Sequence, residues 1–148
     1  AGQHAEYIEH SIESYQAGTR QNALMSAQAM ILSPEDTADL AAYFSSQTAR
    51  GGEANPDLVL RGERLYRAGE PERGIAACIA CHGPNGRGNP VARYPMVAGQ
   101  HAVYSAGQLR LYASGERRSD NNQMMRSIAR RMTEDDIRSV ASYMQGLR

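Results

Sequence analysis

The chain's only two cysteines stand three positions apart, and histidine follows at once: Cys78-Ile79-Ala80-Cys81-His82. Two thiols about one turn apart can each add to a vinyl group of one porphyrin. The next side chain then projects at the iron, so the spacing is that of covalent c-type haem attachment. The alternatives are half of a zinc site, a thioredoxin-like redox pair and a simple disulfide. A zinc site normally takes four protein ligands, and there is no second cysteine pair. A thioredoxin-like pair is expected beside a βαβ pattern, which is missing.

An iron held by His82 wants a second ligand or presents an open site, and seven methionines are available. Methionine at helical spacing more often fills core than binds metal. Met144 lies on the apolar face of the last predicted helix. Met132 directly precedes the cap Thr133 and can pack as a hydrophobic staple, as Leu32 can before Ser33. Met96 sits in a loop. Met124 matches Leu24 in the repeat described below, so apolar bulk suffices there. Met125 matches Met25, and each lies seven residues before its staple residue. Met125 is therefore the expected ligand, with Met124 its main competitor. His/Met ligation raises the potential and fills the sixth position, which argues against oxygen or substrate binding at iron. His4, His10 and His101 read as surface residues. No Ser/His/Asp set, carboxylate pair or phosphate-binding glycine loop stands out, so an enzyme is not expected.

The elements that must position these groups follow from apolar spacing. Leu58, Gly62, Leu65 and Tyr66 share one face of a helix over about 57–68, with Asn55 and Pro56 at its start. Gly62 on that face permits close helix contact. Residues 83–97 are dense in Gly and Pro and read as a loop. Tyr104, Leu109 and Tyr112 mark a helix ending near Gly115; Tyr7, Ile8, Ile12 and Tyr15 mark its twin, ending near Gly18. Thr133 caps a last helix whose first turn holds Glu134, Asp135 and Asp136, with Ile137, Val140, Ala141 and Met144 on one face. Its twin has Ser33 as cap and Pro34 at the first helical position. No segment alternates like a strand, so the fold class is all-α.

These twins belong to an internal repeat. Ala1-Gly-Gln-His-Ala-Glu-Tyr7 returns as Ala98-Gly-Gln-His-Ala-Val-Tyr104, and Tyr15, Gly18 and Arg20 match Tyr112, Gly115 and Arg117. Further on, Ala29 matches Ala129 and Tyr43 matches Tyr143. The expected organisation is a C-terminal half-domain over 1–49, a linker over 50–56 and a complete domain over 57–148. An upstream segment with a second Cys-x-x-Cys-His is expected, with Met25 ligating a second haem there. Without such cover, Tyr7, Ile12, Tyr15, Leu40 and Phe44 would lie exposed. Charge is divided as well. Residues 1–49 hold six acids and one Arg, net −5, whereas 50–148 hold fifteen Arg and ten acids, net +5, with no Lys anywhere. The arginines are scattered among acids as on a solvated surface, which argues against nucleic acid. No stretch is apolar for the roughly 20 residues that span a bilayer. A start at Ala1 suits a trimmed exported protein.

Taken together, the residues resemble the cytochrome c4 family, the dihaem class I cytochromes of bacterial periplasms. The likeness rests on Cys78–His82 followed by Gly-Pro-Asn-Gly, on Tyr94-Pro95-Met96-Val97-Ala98-Gly99-Gln100, and on the stretch from Met125 to Tyr143. It implies two packed class I cytochrome c domains, each with a His/Met haem c, passing electrons to terminal oxidases. It also implies that Pro95 offers its carbonyl to the His82 ring, and that Gly62 and Tyr66 pack on the last helix near Tyr143. Redox proteins, membrane oxidase or reductase complexes among them, are then the partners. The alternative is a cytochrome subunit held in a larger dehydrogenase complex. Residues 1–49 depart from the family pattern in lacking their own attachment motif.

Overall fold

Side chains that catch free backbone amides fix where four of the helices begin. The computed structural model describes residues 1–148 and places eight helices in order. They are α1 (Ala5–Gln16), α2 (Ala23–Met30), α3 (Pro34–Ser45), α4 (Pro56–Ala68), α5 (Ile79–His82), α6 (Ala102–Ser114), α7 (Met124–Ala129) and α8 (Glu134–Gly146). Ser33 and Thr133 each accept from the amide three residues on, and Asp36 and Asp136 return the bond, so α3 and α8 open with matching capping boxes. Asn55 caps α4 ahead of Pro56, and Asn22 caps α2. Two isolated bridges, Glu70 with Ile75 and Asn89 with Tyr94, are the only extended pairings, so the fold is all-α.

The repeat is visible as two helix triples, α1-α2-α3 and α6-α7-α8. The short helices α2 and α7 were not anticipated, because eight and six residues are too few to show a clear apolar period. The second triple is covered by α4, which packs most extensively on α8. Gly62 makes that crossing possible. A Cβ there would lie 2.2 Å from the Ser139 carbonyl oxygen and 2.7 Å from Tyr143 Cβ. Tyr66 and Tyr143 pack with ring centroids 5.4 Å apart, and Tyr66 donates its hydroxyl to the Gly83 carbonyl at 2.6 Å.

Ionic contacts lock the same crossing. Buried Asp136 takes Arg61 at 2.5 Å and Arg73 at 2.6 Å, and Glu70 bonds both guanidinium groups. Burial alone would raise the Asp136 pKa. The Thr133 amide and the two guanidinium groups outweigh that effect and bring it down to about 2.

No counterpart of α4 covers the first triple. Tyr143 is 8% exposed, whereas its repeat mate Tyr43 is 60% exposed. Leu24, Met25, Met30, Ile31 and Phe44 share that exposure. The expectation for Tyr7 and Ile12 is corrected: Ile12 is buried, and Tyr7 bonds across to the second triple.

A polar seam joins the triples. Gln3 exchanges two hydrogen bonds with the Met96 backbone, at 2.9 and 2.8 Å, and the Arg118 amide donates to the Thr19 carbonyl at 2.7 Å. His4 and His10 donate their Nε2–H to the Arg87 and Ser119 carbonyls at 2.6 and 2.8 Å. The reading of these two histidines as surface residues is therefore corrected: both are half-buried and bridge the seam.

Candidate functional site

The Cys-x-x-Cys-His segment forms a single helical turn. The His82 amide donates to the Cys78 carbonyl at 2.9 Å, which brings Cys78, Cys81 and His82 onto one short element. Gly83 ends the turn at φ +77°, and its carbonyl is tied to α4 through Tyr66. The chain then doubles back. The Gly88 amide donates to the His82 carbonyl at 2.8 Å, and the Gly88 Cα passes so close to the Tyr94 and Pro95 carbonyls that a Cβ would meet them at 2.3 and 2.6 Å. Only glycine fits there, at φ +72°.

That return brings the Pro95 carbonyl to 2.9 Å from His82 Nδ1. A carbonyl can only accept, so Nδ1 carries the proton and Nε2 keeps its lone pair. Burial lowers the His82 pKa against the opposing pull of the Pro95 bond, so the ring is neutral. A neutral imidazole held by one nitrogen and bare at the other is the form that ligates a metal. Burial also pushes the Cys78 thiol up to about 11. A thiol whose thiolate is disfavoured does not suit a zinc site or a reactive redox sulfur, both of which depend on a lowered pKa.

Cys78, Cys81 and His82 line one side of a cleft holding ≈ 1420 Å³ of atom-free space, part of it open to solvent. Its wall is built from 29 residues, 18 of them hydrophobic, which matches a large flat apolar group with a few polar edges. Met124 and Met125 line the cleft from the start of α7. The turn before them is unusual: Asn122 and Gln123 both hold positive φ, 49° and 59°. Left-handed backbone at consecutive non-glycine residues stores strain of roughly 1–3 kcal/mol each. Asp120 clamps the turn, accepting from the Arg126 amide at 3.0 Å and its Nε at 2.7 Å. The sequence signals neither the strain nor the clamp, since both depend on backbone conformation. Within the cleft, the Tyr94 hydroxyl lies 3.8 Å from the Met124 sulfur, while the Met125 side chain packs against the core. Met96, Met132 and Met144 also contribute to the wall. Met25 does not: it stands 40% exposed on the uncovered first triple.

Polar groups also line the cleft: Tyr7 and His10 from α1, Gln108 from α6, and Arg117 and Ser119 from the segment after it. Arg117 donates to the Tyr7 hydroxyl at 2.7 Å. Burial would raise the Tyr7 pKa, yet the neighbouring Arg117 and Arg20 charges hold it below the ordinary phenol value. The reading of the arginines of 50–148 as solvated surface is corrected at Arg117, which is buried, as is Arg20 in the first triple.

A one-turn Cys-x-x-Cys-His element and a methionine-bearing turn lining one apolar cleft, in an all-helical fold, define a c-type cytochrome domain. The cytochrome c family profile matches residues 59–148. The chain is 43% identical to cytochrome c4 of Azotobacter vinelandii, over 99% of this chain and 75% of that protein. It is 36% identical to the thiosulfate dehydrogenase electron acceptor of Stutzerimonas stutzeri, over 97% of this chain and 67% of that one. Its structure superposes on reduced recombinant cytochrome c4 from Pseudomonas stutzeri with a TM-score of 0.95 at 38% identity, covering all of this chain and 83% of that one. The chain belongs to the cytochrome c4 family: it is an electron-transfer cytochrome that carries c-type haem.

Proposed function

We propose that Cys78 and Cys81 would hold haem c through thioethers, with His82 Nε2 and Met125 Sδ as the groups that would ligate its iron, in a periplasmic carrier serving redox protein partners. When bound, the haem supplies a one-electron ferric/ferrous couple. The Pro95 carbonyl orients His82, and the strained turn clamped by Asp120 presents Met125. The observation that carries this reading is the His82 ring, fixed at Nδ1 by Pro95 and bare at Nε2, on the cleft wall that both cysteines share. Met125 is favoured over Met124 because its repeat mate is Met25, whereas Met124 corresponds to Leu24 and its sulfur lies against the Tyr94 hydroxyl.

Met125→Ala should remove the sulfur-to-iron charge-transfer band of the oxidised protein and admit carbon monoxide to the reduced one. Met124→Leu should leave both unchanged. The reverse pattern would move the ligand to Met124. Acid–acetone extraction of denatured protein should leave the haem on the polypeptide; extractable haem would sink the thioether assignment.

A second reading concerns where the electrons come from. The relative named for accepting electrons from a thiosulfate dehydrogenase favours a cytochrome that serves one dehydrogenase rather than a carrier feeding terminal oxidases. Co-purification with a dehydrogenase in fixed stoichiometry supports that assignment, and purification alone with activity towards several partners supports the carrier.

A further inference from the structure

Two adjacent residues ahead of α1 grip the loop that holds His82. The limbs of that loop are residues 86–88 and 94–98, joined by bonds from the Val97 and Ala98 amides to the Gly86 carbonyl at 2.7 and 3.0 Å. The Gly88 amide donates to the His82 carbonyl from one limb, and the Pro95 carbonyl accepts from His82 Nδ1 on the other. Gln3 then holds the second limb: its Nε2 donates to the Met96 carbonyl at 2.9 Å and its Oε1 accepts from the Met96 amide at 2.8 Å. The Met96 amide and carbonyl make no other hydrogen bond. His4 holds the first limb, donating Nε2–H to the Arg87 carbonyl at 2.6 Å.

The gripping residues are themselves anchored to the first triple. The Gly2 amide donates to the Phe44 carbonyl in α3 at 2.8 Å. At φ +70°, a Cβ on Gly2 would meet the Gln47 carbonyl at 2.9 Å, so glycine is needed for that approach. Gln3 Oε1 also accepts from the His4 amide at 3.1 Å, which steadies the side chain from its own side of the seam. Through this anchorage a contact made by residues 1–49 reaches the metal-binding ring of the second domain. The link is one peptide group. The Pro95 carbonyl and the Met96 amide belong to the same trans peptide, whose atoms lie in one plane. Fixing the Met96 N–H therefore fixes the direction of the Pro95 oxygen, and a bonded N–H polarises its own carbonyl into a stronger acceptor.

We propose that Gln3 is a positioning residue for His82: it holds the Pro95–Met96 peptide plane, with His4 holding the facing limb, so that docking of the first triple tightens the bond to His82 Nδ1. The inference rests on the ligand assignment above. A stronger bond at Nδ1 makes the imidazole a better donor at Nε2, and a better donor favours the oxidised metal. Loss of Gln3 should therefore raise the potential of the centre attached at Cys78 and Cys81.

The test uses the full-chain holoprotein at one pH and ionic strength, read by proton NMR of the ferric state and by spectroelectrochemical titration. Gln3→Leu should speed solvent exchange of the His82 Nδ1–H by roughly tenfold, about one net hydrogen bond, and should raise the midpoint potential. Gln3→Glu keeps the acceptor for the Met96 amide, so its exchange rate should fall between those of the parent and Gln3→Leu. Gln16→Leu, which removes bonds to the Ala29 and Leu32 carbonyls inside the first triple, should leave both readings at the parent values. The parent exchange rate in folded Gln3→Leu overturns the positioning role, and an unchanged or lowered potential overturns its effect on the centre. Gln16→Leu matching Gln3→Leu also overturns the proposal, because general loosening of the first triple would then account for both. If Gln3→Leu fails to attach haem, His4→Ala decides: faster Nδ1–H exchange supports the clamp, and the parent rate defeats it. A parent whose His82 Nδ1–H carries no hyperfine shift defeats the ligand assignment instead, before any variant is made.

Discussion

Gly62→Ala should separate α4 from α8, and the structure sets the size of the effect. The added methyl would sit 2.2 Å from the Ser139 carbonyl oxygen and 2.7 Å from Tyr143 Cβ. Non-bonded carbons prefer about 3.5–4.0 Å, so the helices must part by roughly 1 Å. The obstructing oxygen belongs to a helix backbone and cannot swing aside as a side chain would. Overpacking of this kind costs about 1–3 kcal/mol, and more where backbone moves. Alanine returns about 1 kcal/mol of helix propensity. Separation also loosens Leu65, Tyr66 and Val140, which are buried at the crossing. The net loss should be about 2 kcal/mol, or roughly 30-fold in the folding constant. Gly107→Ala in α6 is the internal control, because no atom lies within 4 Å of its added methyl. That variant should gain up to about 1 kcal/mol. Guanidinium unfolding of both holoproteins, followed by far-UV dichroism, gives the comparison directly if the slopes match the parent's. If Gly62→Ala is as stable as the parent, or rises alongside Gly107→Ala, the close-crossing argument is wrong.

Three further outcomes can be checked. The folded-state pKa of Asp136, about 2, lies below its ordinary value of 3.8, so its contribution is complete above about pH 4 and is lost as pH falls through 2. That lowering corresponds to about 2 kcal/mol. Asp136→Asn should cost a similar amount at neutral pH and flatten the acid limb of the stability curve; an unchanged acid limb would show that Asp136 does not drive it. Tyr66→Phe should cost about 1–2 kcal/mol in denaturant melts by leaving the Gly83 carbonyl without its donor, and a neutral result would place water there instead. Partner electron-transfer rates should fall with added salt, because formal charges of −5 and +5 on the two segments orient docking. Rates flat in ionic strength with every partner would remove that basis for orientation.

Much of this was legible because local rules and the fold agree. Thr133 and Ser33 announce their helices through cap chemistry, and Gly62 on an apolar face announces a close crossing. Cys78–His82 states its chemistry through spacing alone. What escaped depends on distant pairing. Asp136 looks in sequence like its mate Asp36, an acid in a first helical turn. Only the fold reveals that Arg61 and Arg73 arrive beside one and not the other. The left-handed pair Asn122 and Gln123 has no glycine to mark it, and His10 reaches the Ser119 carbonyl across 109 positions of chain.

The repeat held more than its apolar positions revealed. An apolar face that recurs in both copies of a repeat is usually taken as core, and Ala29 with Ala129, or Ala41 with Ala141, fits that rule because all four are buried. Tyr7 with Tyr104 and Arg20 with Arg117 do not, since neither tyrosine is fully buried and an arginine is a poor core residue. A donor and an acceptor that recur together in both copies are self-complementary. Two copies can turn those residues towards one another and satisfy both pairs, as the two halves of a symmetric dimer do. The seam shows that arrangement within a single chain, at 2.7 and 2.6 Å. Double-mutant cycles on the two pairs can measure it. If the exchange docks the triples, Tyr7→Phe with Arg117→Gln should cost less than the sum of the single changes, and the Tyr104→Phe and Arg20→Gln cycle should show coupling of the same sign. Additivity within both cycles would reduce the exchange to geometry without energetic weight.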